Sequence, residues 1–281
     1  MNVLNVERVT KGYGNRTLFE DVTLGINEGD KIGVIGVNGT GKSTFLKIIA
    51  GLVTPDAGQV VCKNGIHVSY LSQNPVFEKD DTVLSYVCRD KKALQNRNVE
   101  AEAKTILNKL GITDYEQRTA ELSGGQRKRA ALARTLLLPS EILVLDEPTN
   151  HLDNDMVIWL EYFLDKFKGQ LVMVTHDRYF LDRVTNRIVE LDRGSLYSYD
   201  VNYSGFLERK AQREEMLAST EKKRQNILRT ELEWVRRGCQ ARSTKQQARL
   251  DRYEDMKAAS RAARASLEKQ TLEMSSVSTR V

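Results

Sequence analysis

The stretch GVNGTGKS, residues 36–43, constrains this chain more than any other. It fits the pattern G-x-x-x-x-G-K-[ST], with Lys42 and Ser43 at its end. An apolar run, KIGVIG (31–36), precedes it, and a helical pattern from Lys42 to Ala50 follows and stops at Gly51. A buried strand, a glycine-rich turn and a helix in that order predict an α/β domain. The glycines let backbone N–H groups converge at the helix N-terminus, where they favour a phosphate anion. The ligand predicted here is a nucleotide triphosphate with Mg²⁺. Gly36, Asn38, Gly39, Gly41, Lys42, Ser43 and Thr44 are its candidate contacts, with Lys42 reaching the β- and γ-phosphates and the Ser43 hydroxyl holding the metal.

Two further apolar runs end in polar residues suited to the same ligand. ILVLD (142–146) brings Asp146 to a strand end as a metal ligand, and Glu147 follows as a base for water attacking the γ-phosphate. LVMVTH (171–176) ends on His176, a candidate γ-phosphate contact. The weaker strand VSYLSQ (68–73) ends on Gln73, a candidate metal or water ligand. Tyr13, in KGYGNRTLF, is placed to stack on adenine. Each of these is an ordinary strand-end or surface residue when read alone; the phosphate loop is what ties them together.

LSGGQRKRAALARTLL (122–137) holds a second helix start. Ser123 and Gln126 form a capping-box pattern, and Gly124 and Gly125 leave backbone N–H groups accessible. The first loop already cradles the triphosphate, so this start is expected to serve a nucleotide held by another domain. The remaining segments complete a mixed fold. VLNVERV, LFEDVTLGI and GQVVCKNG read as antiparallel strands, IVELDRGSLYSYD (188–200) as a hairpin, and Asn154–Phe167 as an amphipathic helix ended by Gly169.

Charge is uneven along the chain. Residues 1–203 carry 25 Lys/Arg against 27 Asp/Glu, a net of −2, whereas residues 204–281 carry 18 against 11, a net of +7. The second segment has no proline, only Gly205 and Gly238, and sparse apolar positions that include Phe206, Leu232 and Leu250. This predicts two long antiparallel helices that pair mainly with each other. Between Arg236 and Arg264, nine Arg/Lys face three Asp/Glu, an excess suited to nucleic-acid phosphates. Arg236, Arg237, Arg242, Lys245, Arg249 and Arg252 are the candidate contacts. No base-reading motif accompanies them, so shape and backbone recognition is expected. No run approaches the roughly 18 apolar residues of a membrane-crossing helix. Cys62, Cys88 and Cys239 form no paired motif, which suits a reduced, cytoplasmic protein.

Together, the loop at 36–43, Gln73, LSGGQ at 122–126, Asp146–Glu147, His176 and Tyr13 resemble the ATP-binding cassette superfamily over residues 1–200. The resemblance implies an α/β P-loop NTPase with an antiparallel β subdomain and a helical signature subdomain. It also implies head-to-tail pairing of two cassettes, each site combining one phosphate loop with the other's signature. EPTNHLD (147–153) is similar to the ABC-F group of non-transporting ATPases, and Leu152 and Asp153 fall in its D-loop, facing a partner cassette. That group joins two cassettes by a helical hairpin that enters the ribosome and contacts peptidyl-site tRNA. Some members protect ribosomes from antibiotics. Residues 204–274 resemble that interdomain linker, and ELEWVRRGCQARSTKQQARLDRYEDM in particular resembles linkers of the Uup-like branch. The implied organisation is a cassette at 1–203, an RNA-contacting hairpin at 204–281, and a second cassette beyond, making this chain an N-terminal half. The implied partners are rRNA, tRNA and the second cassette, with no membrane subunit. A branched-DNA ATPase and a transporter's nucleotide-binding subunit are the alternatives.

Overall fold

The computed structural model describes residues 1–213 apart from 15, 74, 79 and 91–97, together with 215, 216 and 219. By compactness the chain divides into a unit Met1–Arg209 and a unit Lys210–Val281. The strands and helices below belong to the first.

Three strands form an antiparallel sheet in the order β2 (Arg16–Asn27), β1 (Asn2–Tyr13), β4 (Ala57–Cys62). Along β2, Val22, Leu24 and Ile26 are buried while their neighbours are not, the period-two pattern of a sheet with one wet face. A second sheet has the order β5 (Val68–Leu71), β6 (Ile142–Asp146), β7 (Gln170–Val174), β3 (Lys31–Ile35), β8 (Arg187–Asp192), β9 (Ser195–Tyr199). Its first five strands are parallel, and β9 returns antiparallel from the 188–200 hairpin.

Every residue of β6 and β7 is buried, as a central parallel strand covered on both faces requires. Alternation sends their side chains to two different cores. Ile142, Val144, Val172 and Val174 pack with the antiparallel sheet and with Phe45, Leu46, Ile48 and Ile49 of helix α1 (Lys42–Ile49). Leu143, Leu145, Leu171 and Met173 face the other way. They pack against a helical layer comprising α2 (Val83–Val87), α3 (Val99–Lys109), α4 (Gly124–Leu137), α5 (Asn154–Lys166) and α6 (Arg178–Val184). Burying both faces of two such strands contributes roughly 1.5–3 kcal/mol per large side chain. It also fixes the register that sets Asp146 beside Val174 at the strand ends.

Helices α2, α3 and α6 had no clear signal in the sequence. Of these, α2 and α6 are short, and all three are held by tertiary burial of residues such as Val83, Leu107 and Phe180. Phe206, expected to pair within the basic hairpin, is instead 2% exposed, with its ring 5.2 Å from Tyr199 and 5.9 Å from Tyr203. Ser204 N–H also donates to Asp182 Oδ1 at 2.7 Å, which ties residues 204–206 into the first unit. Among the described residues, no helix is long and apolar enough to cross a membrane.

Candidate nucleotide-hydrolysis site

The carboxyl ends of β3, β6 and β7 lie side by side, and loops leaving them carry Gly36, Asp146–Glu147 and His176. Ligands of open α/β sheets bind outside such strand ends. Between Gly36 and Lys42, two residues hold backbone conformations that glycine adopts most easily, with φ 81° at Gly39 and 95° at Gly41. A Cβ on Gly36 would come within 2.5 Å of the Leu191 carbonyl oxygen, so the loop has no space for a larger residue there. Gly41 is the N-cap of α1 and provides no side-chain cap, leaving the first N–H groups of that helix available to an anion.

Lys42 folds over this loop, its Nζ donating to Gly36 O at 2.8 Å and Val37 O at 3.2 Å. Burial lowers its pKa, while the nearby Glu147 and Asp146 carboxylates push it back up. Asp146 is 3% exposed, and burial raises its pKa against hydrogen bonds from Ser43, Gln73 and Tyr70. Gln73 Nε2 lies 3.1 Å from Asp146 Oδ1 and 3.5 Å from Ser43 Oγ, so the three expected metal-site residues converge on one point. Tyr70, which sequence reasoning missed, donates its hydroxyl to Asp146 Oδ2 at 3.5 Å. Its pKa is strongly raised by burial and by that anion, so it remains a donor. A hydroxyl, an amide and a carboxylate form a hard oxygen-donor set that suits Mg²⁺ and would suit a softer metal poorly. A divalent cation there would also offset the burial of Asp146. Among the described residues, no group of three His, Cys, Asp or Glu side chains forms a competing site.

Glu147 sits at φ 55°, its N–H held by the Val174 carbonyl at 2.8 Å. This left-handed conformation costs of order 1 kcal/mol for a non-glycine residue. It turns the side chain toward β7, where Oε2 accepts from His176 N–H at 3.4 Å and Oε1 lies 3.5 Å from His176 Nε2. The carboxylate side chain is 8% exposed and the imidazole 69%. Burial raises the Glu147 pKa, the His176 ring and N–H lower it, and Asp146 raises it again. Tyr13 is exposed at the end of β1 and is not part of this charged cluster.

The second helix start is as the sequence predicts. Ser123 Oγ accepts from Gln126 N–H at 3.2 Å, and Gln126 Oε1 accepts from Ser123 N–H at 3.0 Å. Behind it lies His151, also left-handed at φ 68°. Its Nε2 is 3.2 Å from Lys128 Nζ, its carbonyl accepts from Arg129 Nη1 at 3.4 Å, and its Cβ borders Gly125. Asp153 caps α5 through Met156 N–H at 2.9 Å. A small open recess runs from Asp146 and Glu147 past Lys128, Arg129, Asn150 and Leu152. No sequence signal pointed to the positive φ at Glu147 or His151. Arg236, Arg237, Arg242, Lys245, Arg249 and Arg252 lie outside the described residues.

A family profile described as ABC transporter matches residues 19–150, and a second of the same description matches 189–274. The chain contains an ABC-type ATP-binding domain. It is 44% identical to "Uncharacterized ABC transporter ATP-binding protein YfmR" of Bacillus subtilis (strain 168), over 92% of this chain and 47% of that protein. It is 38% identical to "Energy-dependent translational throttle protein EttA" of Mycobacterium tuberculosis (strain H37Rv), over 91% of this chain and 52% of that protein. EttA of Escherichia coli (strain K12) is likewise 38% identical, over 86% and 50%. The chain thus spans about half the length of the curated relatives it matches. Among solved structures, an ATP-binding subunit of an ABC transporter superposes with a TM-score of 0.64 at 23% identity, covering 70% of this chain and 90% of its own. A nucleotide-free ATP-binding cassette gives 0.56 at 22%, covering 72% and 92%. At that identity the likeness speaks to the α/β cassette fold alone.

Proposed function

We propose that this chain is the ATP-hydrolysing cassette and linker of an ABC-F factor that acts on the ribosome during translation. The observation that carries the reading is the 38% identity to proteins named translational throttles, which extends over 91% of this chain. The NHLD stretch and the basic excess at 236–264 agree with it.

In this reading the phosphate loop and Lys42 hold the β- and γ-phosphates, and Tyr13 supports adenine. Ser43, Gln73 and Asp146 hold Mg²⁺, which when bound neutralises charge on the phosphates. Glu147 takes the proton from the attacking water as the bond between β- and γ-phosphates breaks, giving ADP and phosphate. His176 holds Glu147 and faces the γ-phosphate. Ser123, Gly124, Gly125 and Gln126, with Leu152 and Asp153, meet a second cassette, whose nucleotide the start of α4 helps to bind. ATP closes the pair and sets the basic linker against rRNA and tRNA; hydrolysis reopens it.

The test is Glu147→Gln in the full-length protein, with ribosome association followed by sedimentation. The expected result is an ATP-dependent ribosome complex that persists, because binding survives while turnover falls by about 10²–10⁴. Ribosome binding indifferent to ATP, or tighter binding to branched DNA in competition across a salt series, would count against the reading.

A further inference from the structure

The β1–β2 hairpin ends beside the phosphate loop, and its residues touch that loop at two points. Tyr13 and Arg16 are directly paired across the hairpin, and Gly14 between them has φ 57°. From Arg16, alternate residues of β2 reach the loop. Leu18 lies beneath Gly41, its Cβ 3.0 Å from where a Gly41 Cβ would stand, and the Phe19 ring closes the same side at 3.1 Å. Arg16 lies against Gly39, its Nη2 donating to Gly39 O at 3.2 Å and both its terminal nitrogens within 3.7 Å of a Gly39 Cβ position.

Arg16 is therefore paired by backbone register with the aromatic at the hairpin tip and hydrogen-bonded by its side chain to the apex of the phosphate loop. Its neighbour in charge, Lys11, is already neutralised by Asp56 at 2.5 Å. Arg16 is different: it is exposed, and among the described residues no carboxylate pairs with it. A guanidinium has five N–H donors in a rigid fork, and the bond to Gly39 O uses one. Lys42 Nζ bonds the start of the loop at Gly36 O and Val37 O, whereas Arg16 meets its apex at Gly39 O. Arg16 is also the cross-hairpin partner of Tyr13, the residue read as the adenine platform.

Resting on the nucleotide reading of this site, we propose that Arg16 is a nucleotide ligand: its guanidinium binds the inner, α–β part of the polyphosphate and couples the base platform to the loop. A contact there is made equally to ATP and ADP. It sets affinity and not the rate of the chemical step.

The experiment is isothermal titration of the chain and its Arg16→Ala and Arg16→Lys variants with Mg·ADP, Mg·ATP and adenosine, at low and high salt. Thermal melting checks that each variant folds. Arg16→Ala is expected to weaken ADP and ATP alike by about 10-fold, more at low salt than at high, and to leave adenosine unchanged. Arg16→Lys should recover part of the loss, since the charge returns without the fork. ADP and ATP affinities within twofold of the unsubstituted chain would overturn the proposal. An equal loss for adenosine would overturn it too, because Arg16 would then only brace the hairpin. No nucleotide binding by the unsubstituted chain would overturn the reading of the site, and this inference with it.

Discussion

Two helix starts in this domain are rich in glycine, and they are built in opposite ways. Helix α1 begins at Gly41 in a left-handed conformation with no side-chain cap, so its leading amides depend on a ligand for partners. Helix α4 begins at Ser123 in extended conformation with a complete capping box, so its start is stable on its own. A Cβ at Gly41 would press on Leu18 and Phe19 within 3.1 Å, whereas a Cβ at Gly124 would meet nothing within 4 Å. The first start is embedded in its own domain, which suits the phosphate proposed to bind there. The second stands at the surface, pre-formed, which suits the proposed role toward a nucleotide carried by another domain. Glycine at Gly41 is required by backbone and packing. At Gly124 this domain gives no such reason.

The largest effect expected from this contrast comes from paired alanine substitutions. Gly41→Ala forces a β-carbon into a left-handed position against packed neighbours, with strain of about 1–3 kcal/mol falling on the phosphate loop. Titration with Mg·ATP should show affinity down by about 10- to 100-fold. Gly124→Ala should leave the affinity of this chain within twofold and raise its melting temperature slightly, because alanine is the better helix former by about 0.5–1 kcal/mol. Equal losses from the two changes would break the comparison.

A smaller effect concerns what the first site does to stability. The folded-state pKa of Asp146 is raised above its ordinary value, mainly by burial. Such a group favours folding at acid pH, and that contribution is lost as pH rises through the folded pKa, so near neutrality the buried anion is a liability. Asp146→Asn keeps an acceptor for Gln73 and removes the charge. It should raise the melting temperature at pH 7.5 by about 2–4 °C, corresponding to about 1 kcal/mol in a domain of this size. That gain should fade toward pH 4, while Mg·ATP binding weakens. Thermal melts between pH 4 and 8 would measure it, and a lower melting temperature at neutral pH would show that the polar contacts of Asp146 outweigh its burial.

What was legible in the sequence was what is written locally. The runs at 31–36, 142–146 and 171–176 are apolar without alternation, and they became central strands buried on both faces. The Ser123–Gln126 box is a short-range signal and is present in the structure. The convergence of Ser43, Gln73 and Asp146 could be inferred only because each follows a strand of one sheet. The rest depended on contacts distant in sequence or on conformation without a residue signature. Tyr70 reaches Asp146 because β5 and β6 are neighbours in register, with Tyr70 opposite Val144. Phe206 is buried by Tyr199 and Tyr203, although the segment around it reads as charged helix. His151 stands out in the sequence by its family likeness alone; in the structure it links the loop after Glu147 to α4 through Lys128 and Arg129. Arg16 had a usable signal: a Tyr-Gly-Asn-Arg hairpin tip pairs its first and last residues, so an aromatic predicted to meet the base implies an arginine across from it.

The smallest expected effect is at the second start, and it sharpens the comparison because stability and binding separate there. Ser123→Ala removes one hydrogen bond of the capping box and leaves Gln126 without the hydroxyl it caps against. Losing such a cap costs about 1 kcal/mol in the usual case. The body of α4 is held by buried Ala130, Leu132, Ala133 and Leu137, so the end frays without loss of the helix, part of that cost is avoided, and the melting temperature should fall by only about 1–2 °C. Ser123→Asp, another strong N-cap, should restore most of it. Mg·ATP affinity of this chain should be unchanged in both variants, since its own phosphates meet α1. If Ser123→Ala instead weakened that affinity more than threefold with the fold intact, the start of α4 would be acting within its own domain, and the division of labour between the two helix starts would fail.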